Sequence, residues 1–336
     1  MVWLKFAACL AIILFSGTKL AHYGDAIAEK SGLGRIWVGL ILLSAVTSMP
    51  ELVTGVSAAA LVKLPDLAVG NLLGSCLFNL MILAIMDIIS RGTPVLSRAS
   101  SRQTMSAVFG IVLAATVAGS IAASDRFAGP ILGWVNISGI LPLIIYCIAI
   151  WWSTRAERNH NTQPQAPEDC RHEAVSTKTV YLRFALAAAA VIAAGIWLSL
   201  VGDELAVTYG WHASFVGSLF LAITTSLPEL VVSIAALRLG TVDMAVADIL
   251  GSNMFNLALI TPVDIAYRQG PVISSVLKAN LVTALLAIGM SLIAISGIRM
   301  KKERKTFAVI SWQSVAMIGL YIFGMRYIFV SGIGLG

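Results

Sequence analysis

The chain has 336 residues, of which 58% are hydrophobic and 12% are charged, and its mean hydropathy is +0.88. An ordinary soluble domain carries about twice that charged fraction, so the excess apolar surface is expected to face lipid. The formal net charge of +6 does not indicate a nucleic-acid partner, because the basic residues lie in short gaps between apolar runs and not on one polar face. Composition therefore predicts an all-α polytopic membrane protein.

Apolar runs long enough to cross a bilayer recur along the chain. A spanning helix needs about 20 mostly apolar residues. The sequence predicts spans at 2–23, 34–62, 66–89, 101–123, 129–152, 179–202, 212–238, 243–267, 274–297 and 307–331. Residues 3–16 also resemble the apolar region of a signal peptide, but a matching segment in mid-chain favours a first span. The polar stretch 153–178 predicts a linker loop between the halves 1–152 and 179–336.

The distribution of Lys and Arg predicts the orientation. Most of them lie in or beside the loops that follow odd-numbered spans, including the linker 153–178. Because cytoplasmic loops carry the excess of basic residues, these loops are expected in the cytoplasm. Both termini of a cell-membrane protein with ten spans would then face outside.

The two halves of the chain repeat each other. Residues 47–51 read Thr-Ser-Met-Pro-Glu and residues 225–229 read Thr-Ser-Leu-Pro-Glu, an offset of 178. After one deletion, an offset of 177 aligns 74–79 with 251–256 and Asp87 with Asp264. Each copy holds five predicted spans, an odd number, so the second copy enters the membrane from the opposite side. The sequence therefore predicts inverted repeats about a pseudo-two-fold axis in the membrane plane.

Two carboxylates fall in the middle of predicted spans. Glu51 lies in the second span and Glu229 in the seventh, and neither helix offers a Lys or Arg beside it. An ionised side chain at this depth costs about 2.5–3.5 kcal/mol on insertion scales. Since the same acid occurs twice in the same context, the pair predicts one cation site shared by both halves.

Further oxygen ligands surround these acids in both copies. The hydroxyls one helical turn away share a face with each glutamate, and the following spans add hydroxyls and amides at i, i+4 spacing. Pro50 and Pro228 lack an N–H, so each predicts a broken helix whose nearby carbonyls can turn towards a cation. The predicted ligand set is Glu51, Glu229, Asn79, Asn256, Thr47, Ser48, Ser75, Thr225, Ser226 and Ser252, with the carbonyls of Ser44 and Ala222.

The chemistry of these ligands indicates the type of cation. All of them are hard oxygens, which disfavours soft transition metals. Calcium takes six to eight oxygens in flexible geometry, and this inventory can supply them. Magnesium demands strict octahedral order and suits the set less well.

At these residues the chain resembles the cation/calcium exchanger superfamily, specifically its prokaryotic sodium/calcium exchanger branch. The anchors are 47–51 with 70–79, and 225–229 with 251–256, which look like the two α-repeats of that family. The resemblance implies ten helices, outward termini and calcium between Glu51 and Glu229, with Asn79 and Asn256 completing the central site. It implies sodium in flanking sites made by Thr47, Ser48, Ser75, Thr225, Ser226, Ser252 and carbonyls.

The chain also departs from the family pattern. Val46 and Thr224 stand where a glycine usually precedes the Thr-Ser-x-Pro-Glu motif, and Ala247 and Asp248 replace the usual Gly-Asn of the second repeat. Several relatives carry Asp in place of Asn256, in some of them together with potassium dependence, so Asn256 argues against potassium.

Together these features predict single-site alternating access without a resident cofactor. One calcium ion balances Glu51 and Glu229, and several sodium ions replace it. The resemblance to the family further implies that the first and sixth spans act as the gate. A calcium/proton antiporter would use the same two glutamates, and a passive cation channel could line its pore with them. An intramembrane enzyme is disfavoured, because Ser48 and Ser226 have no evident base. The oligomeric state stays open.

Overall fold

The fold of the chain is helical throughout the part that the structure describes. The structure is a computed structural model, and it describes residues 2–124, 135–160, 176–209, 221–302, 304–307 and 309–333. Among these residues there is no strand, and the sole strand-type pairing is a bridge between Phe307 and Ile310. Eight helices are long and apolar enough to cross a membrane. The described part of the chain is therefore all-helical, with eight helices suited to cross a membrane, as the composition predicts.

The described part of the first half contains five long helical stretches: α1 (Val2–Ser31), α2 (Arg35–Val62), α3 (Pro65–Ile89), α4 (Gln103–Ala122) and α5 (Ile137–His160). Helix α1 continues well beyond the predicted end at residue 23. Its polar end is stabilised there, because Arg35 donates to Oδ1 of the buried Asp25 at 2.6 Å. Helix α5 continues into the stretch predicted as linker, while residues 129–134 of that predicted span lie outside the described part.

The second half contains α6 (Thr177–Tyr209), α7 (segments Leu221–Thr225 and Leu227–Arg238), α8 (Val242–Ala266), α9 (Ala279–Met300) and α10 (Trp312–Ile333). The eight candidate spans are α1 to α6, α8 and α9. Residues 212–220 of the predicted seventh span lie outside the described part, so the count of ten spans stays a prediction. Helix α9 starts later than the predicted residue 274, because a 3-10 turn occupies Val272–Ser275.

Burial separates a central pair of helices from those at the periphery. In α8, 94% of the residues in its apolar 18-residue stretch are buried inside the protein, and in α3 the fraction is 78%. The corresponding fractions are 33% in α1 and 17% in α5. Apolar side chains such as Leu4 and Phe15 are largely exposed on α1, as expected for a surface in contact with lipid.

Aspartates at equivalent positions of α3 and α8 make equivalent contacts with the opposite half. Oδ1 of Asp66 accepts a hydrogen bond from the Leu277 N–H at 2.6 Å, just before α9 begins. Oδ1 of Asp243 accepts from the Ser100 N–H at 2.6 Å, just before α4 begins. One offset of 177 residues relates both pairs, so the repeated sequence makes repeated contacts.

Glycines allow α2 and α8 to cross at van der Waals distance. A Cβ on Gly39 would collide with the Met244 carbonyl, and a Cβ on Gly251 would collide with the Leu40 carbonyl. Gly39 belongs to the π-helical segment Val38–Leu43 of α2. This close crossing brings the central part of α8 beside the break in α2.

Candidate cation site

Both helices that carry a central glutamate are interrupted immediately before it. In α2 the break is at Ser48 (φ −88°, ψ 9°), between the segments Ser44–Thr47 and Met49–Ser57. In α7 it is at Ser226 (φ −91°, ψ 10°), after which the segment Leu227–Arg238 begins. A proline lies in the first turn of each second segment, where its missing N–H costs no helical hydrogen bond. The two breaks thus have the same backbone geometry and the same sequence cause.

The two glutamates are joined to the opposite half by reciprocal hydrogen bonds. The Ser48 hydroxyl donates to Oε1 of Glu229 at 2.8 Å, and the Ser226 hydroxyl donates to Oε1 of Glu51 at 2.8 Å. All four side chains are fully buried. The structure therefore brings both breaks and both acids to one place in the interior.

Two further pairs of hydroxyls also join the two halves. Thr47 Oγ1 lies 3.5 Å from Ser252 Oγ, and Thr225 Oγ1 lies 3.4 Å from Ser75 Oγ. In each pair either oxygen can donate. Because Thr47 corresponds to Thr225 and Ser75 to Ser252, the hydroxyl pairs obey the same pseudo-symmetry as the glutamates.

Several buried polar atoms of the predicted ligand residues have no hydrogen-bond partner among the described residues. They are Oε2 of Glu51, Oε2 of Glu229, and both side-chain amide atoms of Asn79 and of Asn256. Buried polar groups are nearly always hydrogen-bonded, so a set of unpaired ones needs an explanation. Two carboxylate oxygens and two amide oxygens are suitable ligands for a hard cation.

The carbonyls of Ser44 and Ala222 are already engaged within their own helices. The Ser44 carbonyl accepts from the Ser48 N–H at 3.1 Å and from Thr47 Oγ1 at 3.4 Å. The Ala222 carbonyl accepts from the Ser226 N–H at 3.2 Å and from Thr225 Oγ1 at 3.3 Å. A carbonyl has two lone pairs, so a cation would compete with these hydrogen bonds. Their role as ligands stays a prediction.

Helices α1 and α6 pack against the site through matching glycines. A Cβ on Gly195 of α6 would collide with Pro50 and lie 3.5 Å from Cγ of Pro228. Gly17 of α1, which is related to Gly195 by the offset of 178, faces Val231 and Val232 just after Glu229. The predicted gate helices therefore contact the second segments of α2 and α7 directly.

The structure places a third acid, besides Glu51 and Glu229, in the interior near Glu229. In the sequence this residue was visible only as a departure from the family pattern. Asp248 of α8 is fully buried, and its Oδ2 accepts from the Ser233 hydroxyl at 2.8 Å. Ser233 lies one helical turn after Glu229, and this spacing is the feature of the sequence from which its position beside the site could have been predicted. Within the described ranges no three His, Cys, Asp or Glu side chains form a metal-type cluster, so any hard-cation site here depends on hydroxyl and amide oxygens as well.

The chain is similar to known proteins along most of its length. The family model described as "Sodium/calcium exchanger protein" matches residues 1–155 and 179–330. The inner membrane protein YrbG of Escherichia coli (strain K12) is 28% identical over 290 residues, which cover 82% of this chain and 86% of that protein. The putative antiporter CaxA of Alkalimonas amylolytica is 24% identical over 266 residues, which cover 78% of this chain and 79% of that protein.

A solved structure has the same fold. The sodium-calcium exchanger NCX_Mj, soaked with 100 mM Na+ and 10 mM Sr2+, superposes with a TM-score of 0.73 at 20% identity, over 97% of this chain and 99% of that one. The family model covers nearly the whole length, in two blocks that match the two halves of the repeat. The chain therefore belongs to the sodium/calcium exchanger protein family, whose members are cation/calcium exchangers and not enzymes.

Proposed function

We propose that this protein is a secondary active antiporter that exchanges calcium for sodium by alternating access. The observation that carries the proposal is the reciprocal pair of hydrogen bonds, from Ser48 to Glu229 and from Ser226 to Glu51, each 2.8 Å long. They hold one acid from each half at a shared, fully buried position while leaving one oxygen of each acid without a partner.

The charge of the site supports exchange in preference to leak. Two ionised glutamates carry two negative charges, which one calcium ion or two sodium ions would balance. Within the described residues, neither acid has an ion pair with Lys or Arg. An empty site would leave two uncompensated charges in a low-dielectric interior, which is costly. The protein would therefore change between its outward-open and inward-open states mainly with cations bound.

We assign the ligands to two kinds of position. Glu51, Glu229, Asn79 and Asn256 form the central calcium site, because each offers one buried oxygen without a hydrogen-bond partner. Six hydroxyls and two carbonyls flank the centre and complete the sodium sites when calcium has left. These flanking groups are Thr47, Ser48, Ser75, Thr225, Ser226 and Ser252, with the carbonyls of Ser44 and Ala222.

We further infer ten spanning helices arranged as two inverted repeats, 1–152 and 179–336, around the broken helices α2 and α7. The linker 153–178 would lie in the cytoplasm of a cell-membrane protein with both termini outside. The support is that contacts on the two sides of the molecule obey one sequence offset, as in the pairs of Asp66 with Leu277 and Asp243 with Ser100. Two equivalent halves can open a shared site to either side in turn.

Sodium and protons are the two candidates for the ion that drives calcium movement. The six flanking hydroxyls support sodium, because a sodium ion needs several oxygen ligands whereas a proton needs one acceptor. The relative CaxA is named a putative antiporter and NCX_Mj a sodium-calcium exchanger, and these names agree with antiport as the class of activity.

Proteoliposomes test the proposal directly. The purified protein is reconstituted, calcium uptake is followed with 45Ca2+, and an outward sodium gradient and a pH gradient are imposed separately. We expect uptake with the sodium gradient alone. Uptake only with the pH gradient would replace sodium by protons as the exchanged ion, and calcium movement without any counter-ion gradient or exchange partner would indicate a channel.

A further inference from the structure

The region around Asp248 contains a buried acid outside the ligand set assigned above. Asp248 lies in α8, is fully buried, and has one oxygen, Oδ1, without a hydrogen-bond partner. Its other oxygen accepts from the Ser233 hydroxyl at 2.8 Å. Ser233 is also fully buried, and its hydroxyl lies 3.4 Å from the Ala245 carbonyl.

The position of this pair relative to the central site follows from helix geometry. Ser233 is four residues after Glu229 on α7, and Asp248 is four residues before Ser252 on α8. Four helical residues rise about 6 Å. Because α7 and α8 are joined by the short turn around Gly240 and run antiparallel, both displacements point towards that turn. The pair therefore lies about one helical turn from Glu229 and Ser252.

The opposite half has no acid at the equivalent position. The offset of 177 relates Asp248 to Asn71, and the offset of 178 relates Ser233 to Gly55. The carboxylate and its hydroxyl are thus present in one half only. This asymmetry means that the repeat itself does not require an acid here for packing.

Another buried acid of the protein has more hydrogen-bond partners than Asp248. Asp87 at the end of α3 accepts from the Val95 N–H, from the Ser311 N–H and from the Ser314 hydroxyl, and Lys305 lies 3.8 Å from it. Asp248 has one hydroxyl partner, and no ion pair with Lys or Arg is seen for it in the described part of the chain. The segment of α2 that faces it, Val38–Leu43, is entirely apolar.

We propose that Asp248 and Ser233 form an additional site for a monovalent hard cation, occupied by sodium in the sodium-loaded protein. The carboxylate oxygens, the Ser233 hydroxyl and the Ala245 carbonyl provide about four oxygens, fewer than the six to eight that calcium takes. One negative charge matches one sodium ion. This inference rests on the proposed function, and it adds one sodium ion to those bound at the central site.

The test counts sodium ions bound to the purified protein. Equilibrium binding of 22Na+ without calcium is measured for the wild type, for Asp248→Asn, which places the residue of position 71 at position 248, and for Ser233→Ala. We expect Asp248→Asn to bind one sodium ion fewer per chain. Ser233→Ala should keep the number and raise the half-saturating sodium concentration about two- to tenfold, the effect of one lost ligand oxygen.

Controls separate this inference from the proposed function. Asp66→Asn removes an equal charge from the first turn of α3, where Asp66 accepts from the Leu277 N–H, and should leave the sodium count unchanged. An unchanged count in Asp248→Asn, in a wild type that exchanges calcium for sodium, would overturn the additional site alone. A wild type that binds no sodium would overturn both proposals. If Asp248→Asn does not fold, an unchanged half-saturating concentration in Ser233→Ala rejects the site.

Discussion

The hydroxyl of Ser48 donates to Oε1 of Glu229, a residue 181 positions away, and not to Glu51 in its own helix. The mirror contact from Ser226 to Glu51 has the same length. Each half of the protein therefore orients the acid of the other half. A cation bound between the glutamates would be held by both halves, and any relative movement of the halves would change its coordination.

Replacing either central acid should weaken calcium binding. Glu51→Gln and Glu229→Gln each remove one of the two charges that balance calcium, and ligand charge strongly tunes calcium affinity. We expect calcium binding at least about tenfold weaker in both variants, measured by calorimetry on purified protein. The control is Glu29→Gln, at the partly buried end of α1. Wild-type affinity in both glutamine variants would disprove the assignment of the site.

The reciprocal hydrogen bonds predict equal effects from equivalent serines. Ser48→Ala and Ser226→Ala each remove one hydrogen bond to a buried carboxylate, a contact worth about 1.5–3 kcal/mol. Calcium affinity should fall roughly tenfold to a hundredfold in each. In a double-mutant cycle, Ser48→Ala should couple more strongly with Glu229→Gln than with Glu51→Gln, because only Glu229 accepts its hydrogen bond. The opposite pattern would contradict the cross-half pairing.

Because α6 lies close to both prolines at Gly195, a larger side chain at this position should lower both the stability and the transport rate. Gly195→Val would force side-chain atoms into Pro50, and overpacking of this kind costs about 1–3 kcal/mol or more. We expect a lower melting temperature in detergent and a slower turnover. Gly119→Ala in α4 is the matched control, since no heavy atom lies within 4 Å of its added Cβ. Normal turnover in Gly195→Val would show that α6 does not need this close contact.

Replacing Lys305, which lies outside the ligand set, should cause a large loss of stability. Its side chain and that of Asp87 are each 2% exposed, and its Nζ donates to the carbonyls of Asp87, Ser90 and Val309. Lys305→Met leaves Asp87 buried without its cation, which costs about 3–5 kcal/mol. Unfolding of the detergent-solubilised protein should show this loss, whereas Arg304→Met at an exposed position should change little. Equal stability of both variants would refute the buried pair.

The salt bridge between α1 and α6 should have a much smaller effect. Lys5 donates to Glu204 at 2.8 Å, but the two side chains are 43% and 42% exposed. Exposed pairs contribute about 0–1 kcal/mol and are screened by salt. Lys5→Gln should therefore lower the stability by less than about 1 kcal/mol at low salt and by less still at high salt. A loss comparable to that of Lys305→Met would mean that this bridge is far less accessible to solvent than its exposure indicates.

The repeat made much of the site predictable. Because equivalent residues must occupy equivalent positions, the duplicated Thr-Ser-x-Pro-Glu motif placed Glu51 and Glu229 in matching broken helices, and the structure brings their side chains together. Helix ends were less predictable. Helix α1 continues past residue 23 because Arg35 pairs with Asp25, and α9 begins at Ala279 because a 3-10 turn precedes it. Both outcomes depend on contacts that apolar periodicity does not encode.

Hydrophobic length, repeat offset and residue chemistry are properties of the chain. The amino-acid sequence alone therefore predicts repeated membrane crossings, an internal duplication, and the oxygens available at the middle of the helices. Which partner each of these groups contacts depends on how the helices pack. The breaks at Ser48 and Ser226 turn their hydroxyls to the opposite half, and Asp248 gains importance only because α8 buries it beside Ser233 with one oxygen unpaired. Such pairings depend on how helices cross, and close crossings such as that of Gly39 with α8 arise only when both halves are packed.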